Sequence, residues 1–241
     1  MEKVTILITS FNYEKYIEKC ILSCLNQKNF SEYEVLVVDD GSTDGTRSIL
    51  EKYSGRIRCF TNPNRGIEHA SNFGVKHSRS EYFVRVDADD MLRADYLEKV
   101  YTKIVGSDFA FVYSSYYLIN GEDEVVATKS LPGFDAQEIR CRGDFLATGT
   151  MYDKRMLTKM NLYNEATKNC GLENYELILS LLKNNYKGYC LPEPLFYYRQ
   201  HGSNISMSKR EFIVGYGKGL ARKFGLPGYQ SNENHPWGLR L

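Results

Sequence analysis

The apolar positions fall into runs whose period changes along the chain. Val4 to Thr9, Tyr33 to Val38 and Tyr82 to Val86 are short, nearly continuous apolar stretches rich in β-branched and aromatic residues, as expected of parallel strands covered on both faces. Between them the period lengthens to that of a helix, first at Ile17, Cys20, Ile21, Cys24 and Leu25. Further helices are predicted over roughly Thr46 to Tyr53, from Gly66 to about His77 and from Arg93 to Val105, with a short strand at Ile57 to Phe60. Strict alternation of strand and helix predicts a right-handed, mostly parallel α/β sheet flanked by helices.

Beyond residue 108 the pattern is less regular. Phe109 to Ile119 reads as a long strand, Asn120-Gly121 as a hairpin turn and Glu124 to Thr128 as the returning strand. Lys129 to Phe145, broken by Pro132, Gly133 and Gly143, reads as a loop facing the substrate. A strand at Leu146 to Tyr152, a short helix at Lys154 to Met160 and an amphipathic helix at Leu172 to Lys183 follow. Pro192 and Pro194 divide two further strands, Gly188 to Leu191 and Leu195 to Tyr198. Lys209 to Phe224 predicts a terminal helix weakened by Gly215, Gly217 and Gly219, and Gly225 to Leu241 an irregular tail. The expected organisation is one domain over residues 1–206, in halves 1–108 and 109–206, with residues 207–241 appended.

Two of the early strands end in acids. Asp39-Asp40 opens the turn-rich Asp39-Asp40-Gly41-Ser42-Thr43-Asp44-Gly45-Thr46, and Asp87-Ala88-Asp89-Asp90 packs three carboxylates into four positions. Desolvating acids that close together costs about 2–5 kcal/mol unless a cation lies among them, and a divalent metal held by hard oxygen ligands is the simplest compensation. In a parallel sheet, ligands bind beyond the carboxyl ends of the strands, so Thr9, Asp40 and Asp87 to Asp90 are expected to converge.

Bulk properties narrow the field. Lys and Arg number 31 against 30 Asp and Glu, a formal charge of +1. That balance gives no electrostatic basis for nucleic-acid binding. No run approaches the roughly 18 apolar residues of a spanning helix, and the opening Met-Glu-Lys-Val-Thr-Ile-Leu-Ile lacks the apolar region and cleavage site of a signal peptide. A cytoplasmic location is expected. Six cysteines without C-x-x-C spacing read as reduced core thiols.

The order Ile8-Thr9-Ser10-Phe11-Asn12-Tyr13, Val37-Val38-Asp39-Asp40-Gly41-Ser42, Asn64-Arg65-Gly66 with Asn72-Phe73-Gly74, and Val86-Asp87-Ala88-Asp89-Asp90 resembles the family 2 glycosyltransferases, over Val4 to about Ser206. The resemblance implies a GT-A fold, inversion at the anomeric carbon and a nucleotide-sugar donor, with residues 1–108 as the nucleotide-binding half and 109–206 as the acceptor half. It implies that Thr9 and Phe11 border the nucleobase, Phe11 by stacking, and that Asp40 accepts from the base, which suits the N3–H of uracil or thymine. Asn64 belongs to the same nucleotide-binding set. Asp87 would contact the ribose, and Asp89 would ligate Mn²⁺ or Mg²⁺ bridging the diphosphate. Tyr197-Tyr198-Arg199-Gln200-His201 is similar to the family's Tyr-Arg-x-His segment, so Arg199 and His201 would neutralise the diphosphate, with His201 available to the metal.

Two departures stand out. The family's general base is the aspartate of a Glu-Asp pair opening a helix, and the aligned pair here is Glu173-Asn174. Asn cannot take a proton. Three accounts are open: a replacement made to trap a substrate complex, a natural enzyme using Glu173 or Glu176, or a protein that binds donor without turning it over. Ser71 stands where the family commonly carries an arginine, which Arg65 or Arg85 could replace.

The leading function is transfer of a sugar, most simply from a UDP-sugar, to a glycan, lipid-linked or protein-linked acceptor. A nucleotide-sugar binding module is one alternative. A nucleotidyltransferase is another, against which stands the lack of a Gly-rich, Lys-containing loop near the start. Lys209, Arg210, Lys218, Arg222 and Lys223 beside Phe212, Ile213 and Phe224 form either a solvated helix face or a peripheral contact with an anionic leaflet.

Overall fold

A computed structural model of the 241-residue chain describes residues 2–142, 148–202, 204 and 208–226. Its first half is β1 (Val4–Ser10), α1 (Ile17–Leu25), β2 (Tyr33–Asp39), α2 (Thr46–Lys52), β3 (Arg58–Thr61), α3 (Ile67–His77), β4 (Tyr82–Asp87), β5 (Met91–Leu92) and α4 (Tyr96–Ile104). The second half is β6 (Phe109–Ile119), β7 (Val125–Lys129), α5 (Ala136–Arg142), β8 (Thr150–Asp153), α6 (Lys154–Lys159), α7 (Glu173–Lys183), β9 (Lys187–Arg199) and α8 (Arg210–Phe224).

The described strands form one sheet in the order β3-β2-β1-β4-β8-β6-β9-β5, with β7 also paired to β6. Only β5, β7 and β8 run against the other strands, so the sheet is mostly parallel, as expected. The reason lies in the apolar pattern. Alternate residues of one strand feed two cores: Ile6, Ile8, Val35, Val37, Val84 and Val86 meet α1 and α4, while Leu7, Leu36, Val38 and Phe83 meet α3, α7 and α8. Each fully buried Val, Leu or Ile contributes about 1.5–3 kcal/mol, so helices on both faces stabilise a sheet that neither face alone would hold.

Strand order reverses at β1, which lies between its parallel neighbours β2 and β4. Thr9 is in register with both Val38 and Asp87. The ends of three strands therefore open at one switch point, where a parallel sheet leaves a crevice.

Three sequence expectations need correction. Lys129 to Phe145 is not all loop, because α5 begins after Asp135, whose Oδ1 accepts the N–H groups of Gln137 and Glu138 at 2.7 and 3.0 Å. Pro192 and Pro194 do not divide two strands. β9 is continuous, and the donors missing at the prolines are absorbed by register shifts between Ser114 and Tyr116 of β6. The strand expected from Leu146 begins at Thr150 among the described residues, 143–147 lying outside them along with most of the tail. Cys20, Cys24, Cys170 and Cys190 are buried, Cys59 is exposed and Cys141 is partly exposed, and all six are free thiols.

Candidate active site

At the switch point lies a cleft of about 1090 Å³. Thr9, Phe11, Asp40, Asn64, Asp87 and Asp89 line it from the first half, and Glu173, Asn174 and His201 from the second.

Asp40 follows directly on β2 and is nearly inaccessible to solvent. Its two carboxylate oxygens accept the backbone N–H groups of Arg65 at 2.9 Å and Gly66 at 2.7 Å. Gly66 has φ +99°, a conformation other residues adopt only with strain. Asp40 thus fixes the turn that leads into α3 as well as facing the cleft. Asn64, in the same turn, gives its backbone and side-chain oxygens to Lys168 Nζ, both at 2.7 Å. Thr9 Oγ1 is buried without a hydrogen-bond partner. Phe11 is 39% exposed at the mouth, with its ring open to stacking.

The acidic turn after β4 is tied to the far end of β9. Met91 and Leu92 pair antiparallel with Tyr197 and Phe196, a two-residue strand too short for the apolar pattern to announce. Asp90 Oδ1 accepts Arg199 N–H at 2.7 Å, and Asp89 backbone O accepts Arg199 Nε–H at 2.7 Å. The rest of the Arg199 guanidinium goes to Asn120 O at 2.9 Å and the Asp123 carboxylate at 2.5 Å. Arg199 is fully buried. Its hydrogen bonds brace the turn, and it is not among the residues that line the cleft, where the resemblance implies a diphosphate contact. His201 does reach it: Nε2 lies 2.9 Å from Asp89 Oδ2, and Asn204 Nδ2 donates to the same oxygen at 3.2 Å. Tyr16 stacks on the imidazole at 4.9 Å and Tyr13 meets it edge-on. Asn204 and the two tyrosines were not singled out from sequence, since short polar and aromatic residues after a strand are too common to mark a site.

Burial pushes the Asp87 carboxyl up to about 6, with Arg85 opposing and the charges of Asp89 and Glu173 adding to the rise. Burial and the charges on Asp89 and Asp87 also push Asp90 up. Acids buried side by side in this way oppose one another's ionisation.

The acceptor-side pair opens α7. Asn174 Oδ1 accepts from Tyr152 Oη–H at 2.7 Å and Tyr163 Oη–H at 3.4 Å. Glu173 Oε1 accepts Arg85 Nη2–H at 2.7 Å. Glu176 faces away, towards α8, bonded to Asn164, Tyr216 and Lys223. It is thereby removed from the candidates for general base. Glu68, Cys170 and Glu173 bring ligand atoms within 4.8 Å of one another, but both Glu68 oxygens accept backbone N–H groups, of Asn169 at 2.9 Å and Cys170 at 2.8 Å. Of the two arginines considered in place of one at 71, Arg65 is 59% exposed and 4.0 Å from Glu165, whereas Arg85 Nη1 lies 3.4 Å from Ser71 Oγ.

The glycosyl transferase family 2 profile matches residues 5–170. The chain belongs to this family. Among curated family members, TuaG of Bacillus subtilis, named for teichuronic acid biosynthesis, is 30% identical over 215 residues, covering 86% of this chain and 82% of TuaG. Glycosyltransferase GlyA of Streptococcus pneumoniae is 34% identical over 122 residues, which span 49% of this chain and 17% of GlyA. The fold matches S. aureus TarS 1-349 in complex with UDP-GlcNAc, with TM-score 0.73, 21% identity, 92% of this chain and 66% of that one. It also matches the mannosyltransferase PcManGT of Pyrobaculum calidifontis in complex with GDP-Man and Mn²⁺, with TM-score 0.74, 16% identity, 98% of this chain and 67% of that one. These neighbours establish the GT-A fold.

Among the described residues no helix is long and apolar enough to cross a membrane. The basic group of α8 does not form one face. Ile213 is buried, Lys223 bonds Glu176 at 2.6 Å, and Lys209 and Arg210 line the cleft.

Proposed function

We propose that the chain is a metal-dependent inverting glycosyltransferase that takes a sugar from a UDP-sugar and delivers it to a hydroxyl of a glycan or lipid-linked acceptor. The observation that carries this reading is the meeting of Asp40 and Asp89, far apart in sequence, on one cleft large enough for a nucleoside diphosphate sugar. TarS is described with UDP-GlcNAc and PcManGT with GDP-Man and Mn²⁺, which supports a nucleotide-sugar donor and a divalent cation.

The donor set at Asp89 suits Mn²⁺ or Mg²⁺: a carboxylate oxygen beside an imidazole nitrogen, with no thiol in the set. Asp89 and His201 would hold the cation. Bound there, it supplies positive charge that stabilises the departing diphosphate without proton transfer. Phe11 stacks on the base, Asp40 accepts from it and Asp87 accepts from the ribose. Inversion requires the acceptor oxygen to attack opposite the leaving group as its proton departs. Glu173 is the carboxylate of α7 that reaches the cleft, and we assign it as the acceptor of that proton.

Asn174 favours a second reading, a donor-binding protein without turnover, because an amide stands where the family places a base. The two readings separate on metal-dependent release of UDP from a panel of UDP-sugars. Slow release by the wild type, abolished in Glu173→Gln and unchanged in Asn174→Asp, supports the assignment. Tight UDP binding with no release at any metal concentration supports the module.

A further inference from the structure

Arg85 and Arg199 are the bulkiest fully buried side chains among the described residues. Arg199 is explained by the turn it holds, but Arg85 sits within β4, where the apolar pattern calls for an aliphatic residue. A buried cation costs several kcal/mol unless it is paired. The partners it finds come from both halves of the chain. Its Nε lies 3.3 Å from Asp87 Oδ1, at the end of its own strand, and its Nη2 donates to Glu173 Oε1, at the start of α7, at 2.7 Å. Nη1 points at Ser71 Oγ on α3, and the guanidinium lies 5.5 Å from the Tyr163 ring. Burial opposes its charge, and the two carboxylates more than compensate, so Arg85 stays cationic.

We propose that Arg85 is a positioning residue that locks the donor-side carboxylate of Asp87 to the acceptor-side carboxylate of Glu173, from a spot that an arginine on α3 at position 71 would also reach. This rests on the nucleotide-sugar reading of the cleft. The planar guanidinium presents different edges to its two partners, holding Glu173 by a hydrogen bond from Nη2 and Asp87 by an ion pair at Nε that is not a hydrogen bond, so the two carboxylates are tied to one rigid plane. A lysine, as a point charge, satisfies charge without that constraint. Arg85 and both its partners line the cleft, so the lock bears on the site and not only on the core. An acid that receives a proton needs a third group to orient it, and Arg85 fills that part for Glu173. No proton passes through the guanidinium.

The test uses the full chain as Arg85→Lys, Arg85→Met and Ser71→Arg/Arg85→Met. The readouts are melting temperature, UDP affinity in Mn²⁺, and kcat and KM for release of UDP from the UDP-sugar that the wild type turns over. Arg85→Lys keeps the charge and should remain folded, with kcat down by about a hundredfold, the usual effect of a misplaced catalytic group. UDP affinity should weaken by about tenfold, the equivalent of one charged hydrogen bond. Arg85→Met should lose melting temperature as well, and Ser71→Arg in that background should recover both temperature and UDP affinity. Arg85→Lys with kcat and affinity within twofold of wild type overturns the proposal. So does a Ser71→Arg/Arg85→Met protein no better than Arg85→Met, unfolded or folded. A wild type that binds neither UDP nor any nucleotide sugar sinks the functional reading instead, while recovery of melting temperature in the double variant still reports on the lock.

Discussion

A carboxylate survives burial where enough donors converge on it, and Glu34 shows how that sets a pH dependence. It is nearly inaccessible in β2. Thr5 Oγ1–H and Arg79 N–H donate to Oε1, both at 2.7 Å, and Arg58 Nη1–H donates to Oε2 at 2.6 Å. Burial alone would raise its pKa, but the donors win and hold it below the ordinary value of 4.5. A depressed folded-state pKa means stability that is fully present above the unfolded value and lost as pH falls through the folded one. Glu34→Gln should therefore cost about 1–3 kcal/mol at neutral pH, since an amide N–H₂ must face donors. The gap to wild type in urea unfolding should shrink steadily below about pH 4.5, because protonated Glu34 loses the same charge. An equal gap at acid and neutral pH sinks this account. Asp40 is likewise met by donors, the backbone N–H groups of Arg65 and Gly66, which the sequence could not disclose: an acid after a strand reads alike whether it faces ligand, backbone donors or both. Arg199 illustrates the converse. A buried arginine and an exposed one are written with the same letter, so the resemblance implies a phosphate contact for a side chain whose hydrogen bonds brace the turn after β4.

At the scale of elements, the site depends on how α3 grips the segment leading into α7. Asn72 Nδ2 donates to Tyr163 O at 2.9 Å and Asn72 Oδ1 accepts Tyr163 N–H at 2.9 Å, the pattern of a strand pair made by one side chain. One turn earlier on α3, Glu68 takes the N–H groups of Asn169 and Cys170, and Ile67 N–H donates to Asn169 Oδ1 at 3.0 Å. A segment with no secondary structure of its own is thereby held by donors and acceptors from a rigid helix, and Glu173-Asn174 is presented at its end. Asn72→Ala removes both bonds to Tyr163 and leaves two buried backbone groups unpaired, at a cost of about 1–3 kcal/mol each before relaxation. The expected signature is local: faster amide exchange over residues 163–172 with the β1–β2–β4 ladder unchanged. Uniform acceleration through the sheet would show that Asn72 supports the fold generally and not this segment. The strands and most helices were legible because burial on two faces writes itself into apolar spacing. α5 is not legible from apolar spacing although Asp135 and Glu138 stand at capping-box spacing, because Pro132, Gly133 and Gly143 interrupt the pattern around it. β5 was beyond reach, because two residues carry no period. The grip of α3 on 163–170 was invisible for a physical reason: it is made of polar side chains meeting backbone a hundred residues away, and spacing along the chain carries no trace of such contacts.

For the molecule as a whole, the sheet order matters more than any single bond. β4 hands its acidic turn to β9 through the β5 pair, and β9 returns His201 to Asp89 from the opposite end of the chain. A ligand that occupies the cleft therefore touches the ends of β1, β2 and β4 together with the segments after β9 and before α7. Binding at such a junction stabilises every element that must separate on unfolding, by an amount set by mass action: about 2.7 kcal/mol at a ligand concentration a hundred times Kd. UDP alone should raise the melting temperature through Phe11 and Asp40, and UDP with Mn²⁺ should raise it further through Asp89. Asp89→Asn keeps the shape and an acceptor for Asn204 but removes the charge that holds a cation. In that variant the UDP increment should persist while the additional Mn²⁺ increment disappears, as read by thermal shift across a Mn²⁺ titration. Survival of the Mn²⁺ increment in Asp89→Asn would move the cation elsewhere. Loss of the UDP increment in the same variant would mean that base and diphosphate are not held independently by Asp40 and Asp89.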